Sequence, residues 1–334
     1  MKKSTLVMIL ALVFVFQALA VAYASEVVVY SARKEHLIKP LFDAYTKETG
    51  VEINYLTDKA GPLMEKIRAE GKNTPADLLI TVDAGNLWYA AKSGVLESVD
   101  LNVLQKNVPD YLRDPGNRWF GLSVRARTIV YSTERVKPSE LSSYEALAGP
   151  EWKGRLCLRT SKKVYNQSLV AMMIAEHGVE KSESIVKGWV GNLAAKPFSN
   201  DTKVMQAIVA GQCDVGIVNT YYYGRLLKKD PKLPLSLYWP DQQGNGVHVN
   251  VSGAGLVKYS KNKDEALKLL AWLSSEKAQN LFADSNMEYP VNPSVKPHPN
   301  VAAWGDFKKN LINVSKAGEL QAEAIKLMDR AKYK

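Results

Sequence analysis

Three consecutive tyrosines are the residues of this sequence whose type and spacing point most clearly to chemistry. Tyr221, Tyr222 and Tyr223 come shortly after residues 214–218, a short apolar run that predicts a buried strand, with only Asn219 and Thr220 between. A tyrosine in a protein core needs only one hydrogen-bond partner for its hydroxyl group. Several phenol groups at one strand end therefore predict either oxygen ligands for a hard, highly charged cation or a surface on which a flat ligand stacks.

The phenol group also selects among metals. Fe(III) is a hard trivalent cation that prefers anionic oxygen to thiolate, whereas Mg(II) and Ca(II) favour carboxylates and carbonyls. A tyrosine hydroxyl has a pKa of about 10 and is a poor ligand at neutral pH. A bound ion of high charge stabilises the phenolate, so that binding releases protons. Three phenolates would balance the charge of one Fe(III) ion, and the cluster therefore favours this metal.

The sequence contains no catalytic motif that would favour an enzyme over a binding protein. The four histidines, His36, His177, His248 and His298, lack the spacing of a zinc motif. A nucleophile elbow, a phosphate-binding loop and a dinucleotide fingerprint are all missing from the sequence. We therefore predict that the protein is not an enzyme, and a secreted hydrolase or metalloenzyme is the rival from another class.

The elements that must position the tyrosines alternate between strand and helix, which predicts an α/β fold. In the first part of the chain we expect strands at 27–30, 51–56 and 78–82 and helices at 37–49, 62–70 and 84–92. In the second part we expect strands at 128–131, 155–159 and 214–218 and helices at 165–176 and 201–210, the latter capped by Asp201 and Thr202. A glycine-rich strand at 252–257 returns to the first part, and long helices follow at 264–282 and 317–331.

This order predicts two lobes, each with a mixed sheet flanked by helices, joined by two hinge crossings. The first lobe would comprise residues 25–123 with about 251–295, and the second residues 124–250 with about 296–334. In open parallel sheets, ligands bind beyond the carboxyl ends of the strands. That rule brings the loops at 31–36, 57–61, 83–86, 160–165 and 219–224 to one cleft. Tyr165 would then lie close to the tyrosines at 221–223, although the rule does not choose among these three.

The first 24 residues have the features of a secretory signal peptide. Lys2 and Lys3 precede an almost wholly apolar run at 6–20, and Ala22 and Ala24 occupy the positions that a signal peptidase recognises. The apolar run is shorter than the ~20 residues of a membrane span. We predict cleavage after Ala24 and an exported mature chain that does not insert into the membrane.

The net charge raises the question of an anionic partner such as a nucleic acid. Loss of Lys2 and Lys3 lowers the formal net charge from +10 to +8, but the basic residues are spread along the chain. Neither a helix-turn-helix pattern nor an RNA-binding signature is present, so we expect no nucleic-acid partner.

Cys157 and Cys213 are the two cysteines, and in an oxidising compartment they predict one disulfide, with two separate buried thiols as the alternative.

Four segments of the sequence resemble the ferric-iron-binding periplasmic proteins of ABC importers, within the bacterial extracellular solute-binding superfamily. These segments are residues 29–33, 76–87, 165–168 and 219–222, and the resemblance extends over essentially all of residues 26–334. It implies a two-lobed periplasmic binding protein of the type II kind, monomeric, that delivers Fe(III) to an inner-membrane ABC permease. It also implies that Tyr165, Tyr221 and Tyr222 are the iron ligands and that Tyr223 is not.

The chain departs from this family in the first loop. Some relatives have His-Tyr after the Ser-Ala-Arg segment and use that tyrosine as a further ligand, whereas this chain has Lys34 and Glu35. Glu35 is a candidate carboxylate ligand in its place, and carbonate or another small anion is the alternative. Arg125 or Arg127, near the first crossing, would hold such an anion, because a guanidinium group matches planar oxyanions.

A second function fits the same fold. The tyrosines would then stack on a small organic or oxyanion solute, such as a phosphonate or a thiamine-like ring. A visible absorption band from iron–phenolate charge transfer would distinguish the two functions.

Overall fold

The computed structural model describes residues 25–334, apart from the side chains of residues 284 and 285. The predicted signal peptide and its cleavage site lie outside the described residues. The strands are β1 (Glu26–Ser31), β2 (Glu52–Thr57), β3 (Leu78–Val82), β4 (Phe120–Ser132), β5 (Leu156–Cys157), β6 (Val215–Asn219), β7 (Leu235–Tyr238), β8 (Val249–Leu256) and β9 (Tyr289–Pro290). They alternate with helices through most of the chain, as the sequence predicts.

The helices of the first part are α1 (Glu35–Thr49), α2 (Ala60–Glu70), α3 (Ala84–Lys92) and α4 (Asn102–Asn107). Those of the second part are α5 (Val164–His177), α6 (Val179–Gly191), α7 (Asp201–Val209) and α8 (Thr220–Lys229). The remaining helices are α9 (Lys263–Leu273), α10 (Glu276–Asn286), α11 (Pro299–Ala302), α12 (Lys316–Glu319) and α13 (Gln321–Arg330).

The strands hydrogen-bond in the order β2-β1-β3-β8-β4-β6-β5, with β7 and β9 also pairing with β4. Strands β1, β2 and β3 are parallel, and β8 runs antiparallel to β3 and to β4. Strand β4 is the link between the two parts, because Phe120–Ala126 pairs with β8 and Arg127–Tyr131 pairs with β6. All thirteen of its residues are buried.

Local sequence explains the first part. In β1, Val27 and Val29 are fully buried, while β3 is buried along almost its whole length, as expected for a parallel strand covered on both faces. Helix α1 packs Ile38 and Leu41 into the same core. It ends at Gly50, whose φ of 74° is in the left-handed region that glycine adopts without strain.

The second part is built around two further clusters of buried residues. One contains Ile129 of β4 and Ile217 of β6, and the C-terminal helix α13 contributes Leu327 to it. The other contains the Cys157–Cys213 disulfide, which joins β5 to the residues before β6. The core behind the tyrosines therefore combines apolar packing with one covalent cross-link.

Several predicted boundaries were wrong. The predicted helix at 264–282 is two helices, α9 and α10, because the chain breaks at Ser274 and Ser275. Serine competes with the helical backbone for hydrogen bonds and favours helix ends, and the Ser275 hydroxyl accepts the N–H of Ala278. Likewise, the helix predicted at 317–331 is divided into α12 and α13.

Two strands and one helix cap also differ from prediction. The strand predicted at 128–131 is the end of the thirteen-residue β4, and the strand predicted at 155–159 is reduced to Leu156–Cys157. The N-cap of α7 is Asn200 and not Asp201, because the Asn200 side chain accepts the N–H of Lys203 at 2.9 Å. Across residues 25–334, no helix combines the length and the apolarity that a membrane crossing requires.

Candidate metal-binding site

The three adjacent tyrosines lie where β6 ends and α8 begins. Consecutive residues of a helix point about 100° apart, so the three side chains take different directions. The rings of Tyr221 and Tyr222 are neighbours, with centroids 4.5 Å apart. On a regular strand these two residues would have faced opposite sides. The helix start therefore brings two phenol groups of the motif to the same place.

Tyr223 points away from that place and packs in the core. Its hydroxyl donates to the carbonyl oxygen of Leu235 at 3.2 Å, and its ring meets Trp304 edge-on. Gly224 allows the indole of Trp304 to approach α8, since a Cβ atom at Gly224 would lie 2.6 Å from Cζ2 of Trp304. Packing against Trp304 thus fixes the rear face of the helix that carries Tyr221 and Tyr222.

Tyr165 lies in the first turn of α5 and joins these two residues around one cavity of about 200 Å³. We name Tyr165, Tyr221 and Tyr222 the tyrosine wall. The other side has charged groups, and we name Arg33, Lys34 and Glu288 the charged wall. Ala32, Leu37, Val82 and Arg225 complete the lining.

Burial keeps the phenol groups neutral in the absence of a cation. It raises the pKa of Tyr165, although the positive charge of Arg125 and a hydrogen bond with Tyr221 oppose the increase. The pKa of Tyr221 lies well above its ordinary value, chiefly because of burial and also because of Tyr165 and Tyr222. Tyr165 and Tyr221 are therefore uncharged at neutral pH until a cation arrives.

Guanidinium groups surround the phenol rings. Arg125 and Arg159 lie over the ring of Tyr165, at 5.5 and 5.0 Å from its centroid, and Arg225 lies 4.9 Å from the centroid of Tyr221. Such contacts are attractive through the ring quadrupole. The same positive charges favour the ionised form of a phenol, so the surroundings assist phenolate formation once a metal has bound.

Arg125 keeps part of its guanidinium group available beside the tyrosines. Its Nη2 donates to Oδ2 of the buried Asp83 at 3.2 Å. Its Nη1 is buried and has no hydrogen-bond partner among the described residues. Asp83 is itself held by the hydroxyl of Ser168 and the N–H of Gly85, at 2.7 and 2.9 Å. A buried donor without a partner is the kind of group that an anion would satisfy.

Arg127 is engaged elsewhere. Its Nε donates to Oδ1 of Asn166 at 3.0 Å, and its Nη1 donates to Asp201 and Asn219, each at 3.1 Å. Its Nη2 donates to the carbonyl oxygen of Ile217 at 3.2 Å. The structure thus brings Arg125 to the tyrosines and commits Arg127 to the protein interior behind them.

Glu35 does not line the cavity. It is exposed at the start of α1 and accepts a hydrogen bond from the hydroxyl of Tyr55 at 3.0 Å. The carboxylate that does line the cavity is Glu288, whose Oε2 pairs with Arg33 at 2.7 Å and accepts the hydroxyl of Ser123 at 2.8 Å. Sequence reasoning missed Glu288, and no local signal marks it, because its partner Arg33 is remote in the chain.

The tyrosine wall is the set of side chains that suits a metal. Within the part of the chain that the structure describes, no three or more histidine, cysteine, aspartate and glutamate side chains are grouped to hold one. Three phenol oxygens beside a charged wall instead suit a hard cation bound together with an anion.

Comparison with known sequences identifies the family of this protein. Residues 32–280 match the bacterial extracellular solute-binding protein family. The chain belongs to this family. It is 43% identical over 315 residues to "Iron uptake protein A1" of Synechocystis sp., an alignment that covers 92% of this chain and 88% of the relative. It is 26% identical over 319 residues to the "Major ferric iron-binding protein" of Neisseria meningitidis, covering 93% of this chain and 94% of that protein.

The fold has a close structural counterpart. The Trichodesmium FutA structure in complex with iron and citrate superposes with a TM-score of 0.90 at 42% identity, covering 93% of this chain and 100% of that chain. These matches confirm the two-lobed α/β fold, the resemblance to ferric-iron-binding proteins, and the prediction of a solute-binding protein and not an enzyme.

Proposed function

We propose that this protein captures Fe(III) through the phenolates of Tyr165, Tyr221 and Tyr222 and delivers it to an ABC permease. The observation that carries this proposal is the convergence of the three phenol groups on one cavity of about 200 Å³. The names of the relatives, which include iron uptake and ferric iron-binding proteins, support the choice of metal.

The chemistry of the cavity favours Fe(III) over softer or less charged ions. Three phenolates would compensate the three positive charges of Fe(III). A divalent ion bound by the same groups would leave an uncompensated negative charge. Thiolates, which soft metals prefer, are absent from the cavity lining that the structure describes, and both cysteines are in the disulfide.

A small anion completes the shell in this proposal. Arg125 supplies the contact, because its Nη1 lacks a partner and its guanidinium group already lies against Tyr165. The structure of the Trichodesmium relative contains citrate with its iron, and carbonate is the smaller alternative. The positions of Arg127 and Glu35 favour neither as a direct contact, so we propose Arg125 alone as the anion anchor.

Capture would proceed by closure of two lobes around the ion. We retain the predicted lobes, residues 25–123 with about 251–295 and residues 124–250 with about 296–334. The change of partner within β4, from β8 at Ala126 to β6 at Arg127, supports a hinge at this crossing. We further propose that the protein is an exported periplasmic monomer, released from its signal peptide after Ala24, whose closed form docks on the permease.

The direct test is a visible absorption spectrum of the purified mature protein during titration with ferric citrate. One equivalent of iron should produce an iron–phenolate charge-transfer band. A parallel titration with ferric nitrilotriacetate, with and without added carbonate or citrate, tests the anion. If wild-type protein gives no band with any ferric donor, the iron proposal fails, and a small organic or oxyanion solute stacked on the tyrosines becomes the better function.

A further inference from the structure

The side chain of Asn219 has an unusual arrangement at the start of α8. Asn219 is the N-cap residue of this helix, where an asparagine normally accepts a backbone N–H of the first turn. Its side chain makes no such bond. Instead it bridges Arg127 and Tyr221, and it is almost fully buried. The helix therefore has no side-chain cap at its N-terminus, because the amide group of Asn219 bonds to Arg127 and Tyr221 instead.

The orientation of this amide is determined by its neighbours. Oδ1 of Asn219 accepts from Nη1 of Arg127 at 3.1 Å, and Nδ2 donates to the hydroxyl oxygen of Tyr221 at 3.2 Å. A guanidinium group can only donate, so the oxygen of the amide must face Arg127. The N–H₂ end is then left facing Tyr221, and the reverse orientation would place two donors against each other.

Arg127 cannot easily move away from this role. It is buried, and Asp201 accepts both its Nη1 at 3.1 Å and the backbone N–H of Asn219 at 3.0 Å. Nε of Arg127 also donates to Asn166, the residue that follows Tyr165. One guanidinium group thus links the two chain segments that carry the proposed iron ligands.

We propose that Asn219 and Arg127 are positioning residues that hold a hydrogen-bond donor on the iron-bound oxygen of Tyr221. The inference rests on the proposed function and deepens it. The amide N–H withdraws electron density from the phenolate oxygen and fixes its direction, and Arg127 acts through the amide. The bond should persist with iron bound, because a phenolate oxygen that ligates a metal retains a lone pair for one donor.

The donor leaves a spectroscopic signature. A hydrogen bond to a phenolate lowers the energy of its electrons and so raises the energy of the charge-transfer band. Asn219→Ala should shift the band to longer wavelength and weaken iron binding by up to about tenfold, because the hydrogen bond is stronger to the phenolate than to the neutral phenol of the iron-free protein. Asn219→Asp keeps an acceptor for Arg127 but turns a negative oxygen towards Tyr221, so its shift should be larger.

The experiment records the band position and the iron affinity, by competition with citrate, for wild type, Asn219→Ala, Asn219→Asp and Arg127→Lys. The matched control is Asn192→Ala. Asn192 is also buried, and its Nδ2 donates to the carbonyl oxygens of Leu147 and Gly149, away from the tyrosines. If Arg127→Lys fails to fold, the two Asn219 variants still test the inference.

A shift in both Asn219 variants with an unchanged band in Asn192→Ala supports the inference. An unchanged band in the Asn219 variants overturns it and leaves the iron function intact. An equal shift in Asn192→Ala also overturns it, since the effect would then be general loosening. A wild type without a band overturns both this inference and the proposed function, so the two failures are distinguishable.

Discussion

The two walls of the cavity differ in how their charge is balanced. In the charged wall, the buried charges are already paired, because Arg33 bonds to Glu288 with support from Ser123, and only the exposed Lys34 lies outside this pair. In the tyrosine wall, burial raises the pKa of Tyr165 and Tyr221, so these two phenol groups carry no charge before a cation binds. Only the tyrosine wall therefore changes its charge when a cation binds, and the charged wall remains constant.

This difference assigns separate tasks to the two walls. Phenol groups that ionise on binding provide selectivity for a highly charged ion, because only such an ion compensates the loss of several protons. A prepaired arginine and glutamate provide a rigid surface against which the ion is enclosed. Substitutions in the tyrosine wall should therefore affect iron affinity, and substitutions in the charged wall should mainly affect protein stability.

The largest effect is expected from the tyrosine wall. Tyr165→Phe, Tyr221→Phe and Tyr222→Phe each remove one anionic ligand, and each should weaken iron binding more than about a hundredfold, as loss of a charged ligand implies. The charge-transfer band should fade or shift in each variant. Competition against citrate, followed by absorbance, measures both quantities.

Tyr223→Phe is the matched control for this series. It removes a hydroxyl that donates to Leu235 and not to the cavity, so affinity and band position should stay near the wild-type values. If Tyr223→Phe loses as much iron affinity as the substitutions of its two neighbours, the assignment of Tyr221 and Tyr222 as ligands and of Tyr223 as a packing residue is wrong.

The second prediction concerns the number of protons released when iron binds. Since Tyr165 and Tyr221 are protonated in the iron-free protein, each phenolate formed releases one proton, and about three protons should leave per iron bound. Apparent affinity should therefore rise with pH between about 5 and 8 and fall in acid, where protons compete for the oxygens. A pH-stat titration, corrected for protons taken up by the free chelator, counts them directly.

The charged wall should contribute no protons to the release that accompanies iron binding. Burial acts to raise the pKa of Glu288, but the charges of Arg33 and Arg125 outweigh it and the pKa is lowered. Glu288 therefore stays ionised across this pH range. A release near zero would mean that the phenols do not ionise, and the contrast between the walls would then be lost.

The smallest effect on affinity is expected from the charged wall. Glu288→Gln leaves Arg33 buried beside a neutral partner, and unfolding free energy should fall by about 3 kcal/mol, while iron affinity changes less than about tenfold. Because the folded-state pKa of Glu288 is lowered, its contribution is present above the unfolded carboxyl pKa of about 4.3 and is lost in stronger acid. Denaturant titrations at several pH values measure it.

Glu65→Gln is the control, because the pair of Glu65 with Arg68 is exposed and should contribute little. A hundredfold loss of iron affinity in Glu288→Gln would make Glu288 a ligand, and the division of tasks between the walls would no longer hold.

Local patterns in the sequence were sufficient for most of the fold. The apolar run of β3 and the glycines after α1 and α3 carry signals that do not depend on distant residues, and those elements lie where predicted. The site was predictable to the extent that its groups follow strand ends. Tyr165, Tyr221 and Tyr222 meet at one cavity for that reason.

Tertiary contacts decide the features that could not be predicted. Glu288 reaches the cavity because it pairs with Arg33 from the opposite end of the chain, and periodicity carries no information on such a contact. Arg125 and Arg127 are two residues apart on one buried strand, yet one meets Asp83 and the other Asp201. Their different tasks follow from their partners and not from their spacing.

The position of β8 has a consequence for the order in which the protein folds. This strand lies between β3 and β4 and joins residues 78–82 to residues 252–256. Closing so long a loop is entropically unfavourable and slows folding. A nascent chain that ends before β8 would leave the facing edges of β3 and β4 unpaired, which invites aggregation. The part of the sheet that contains β3, β8 and β4 is therefore completed only after residue 256 has emerged.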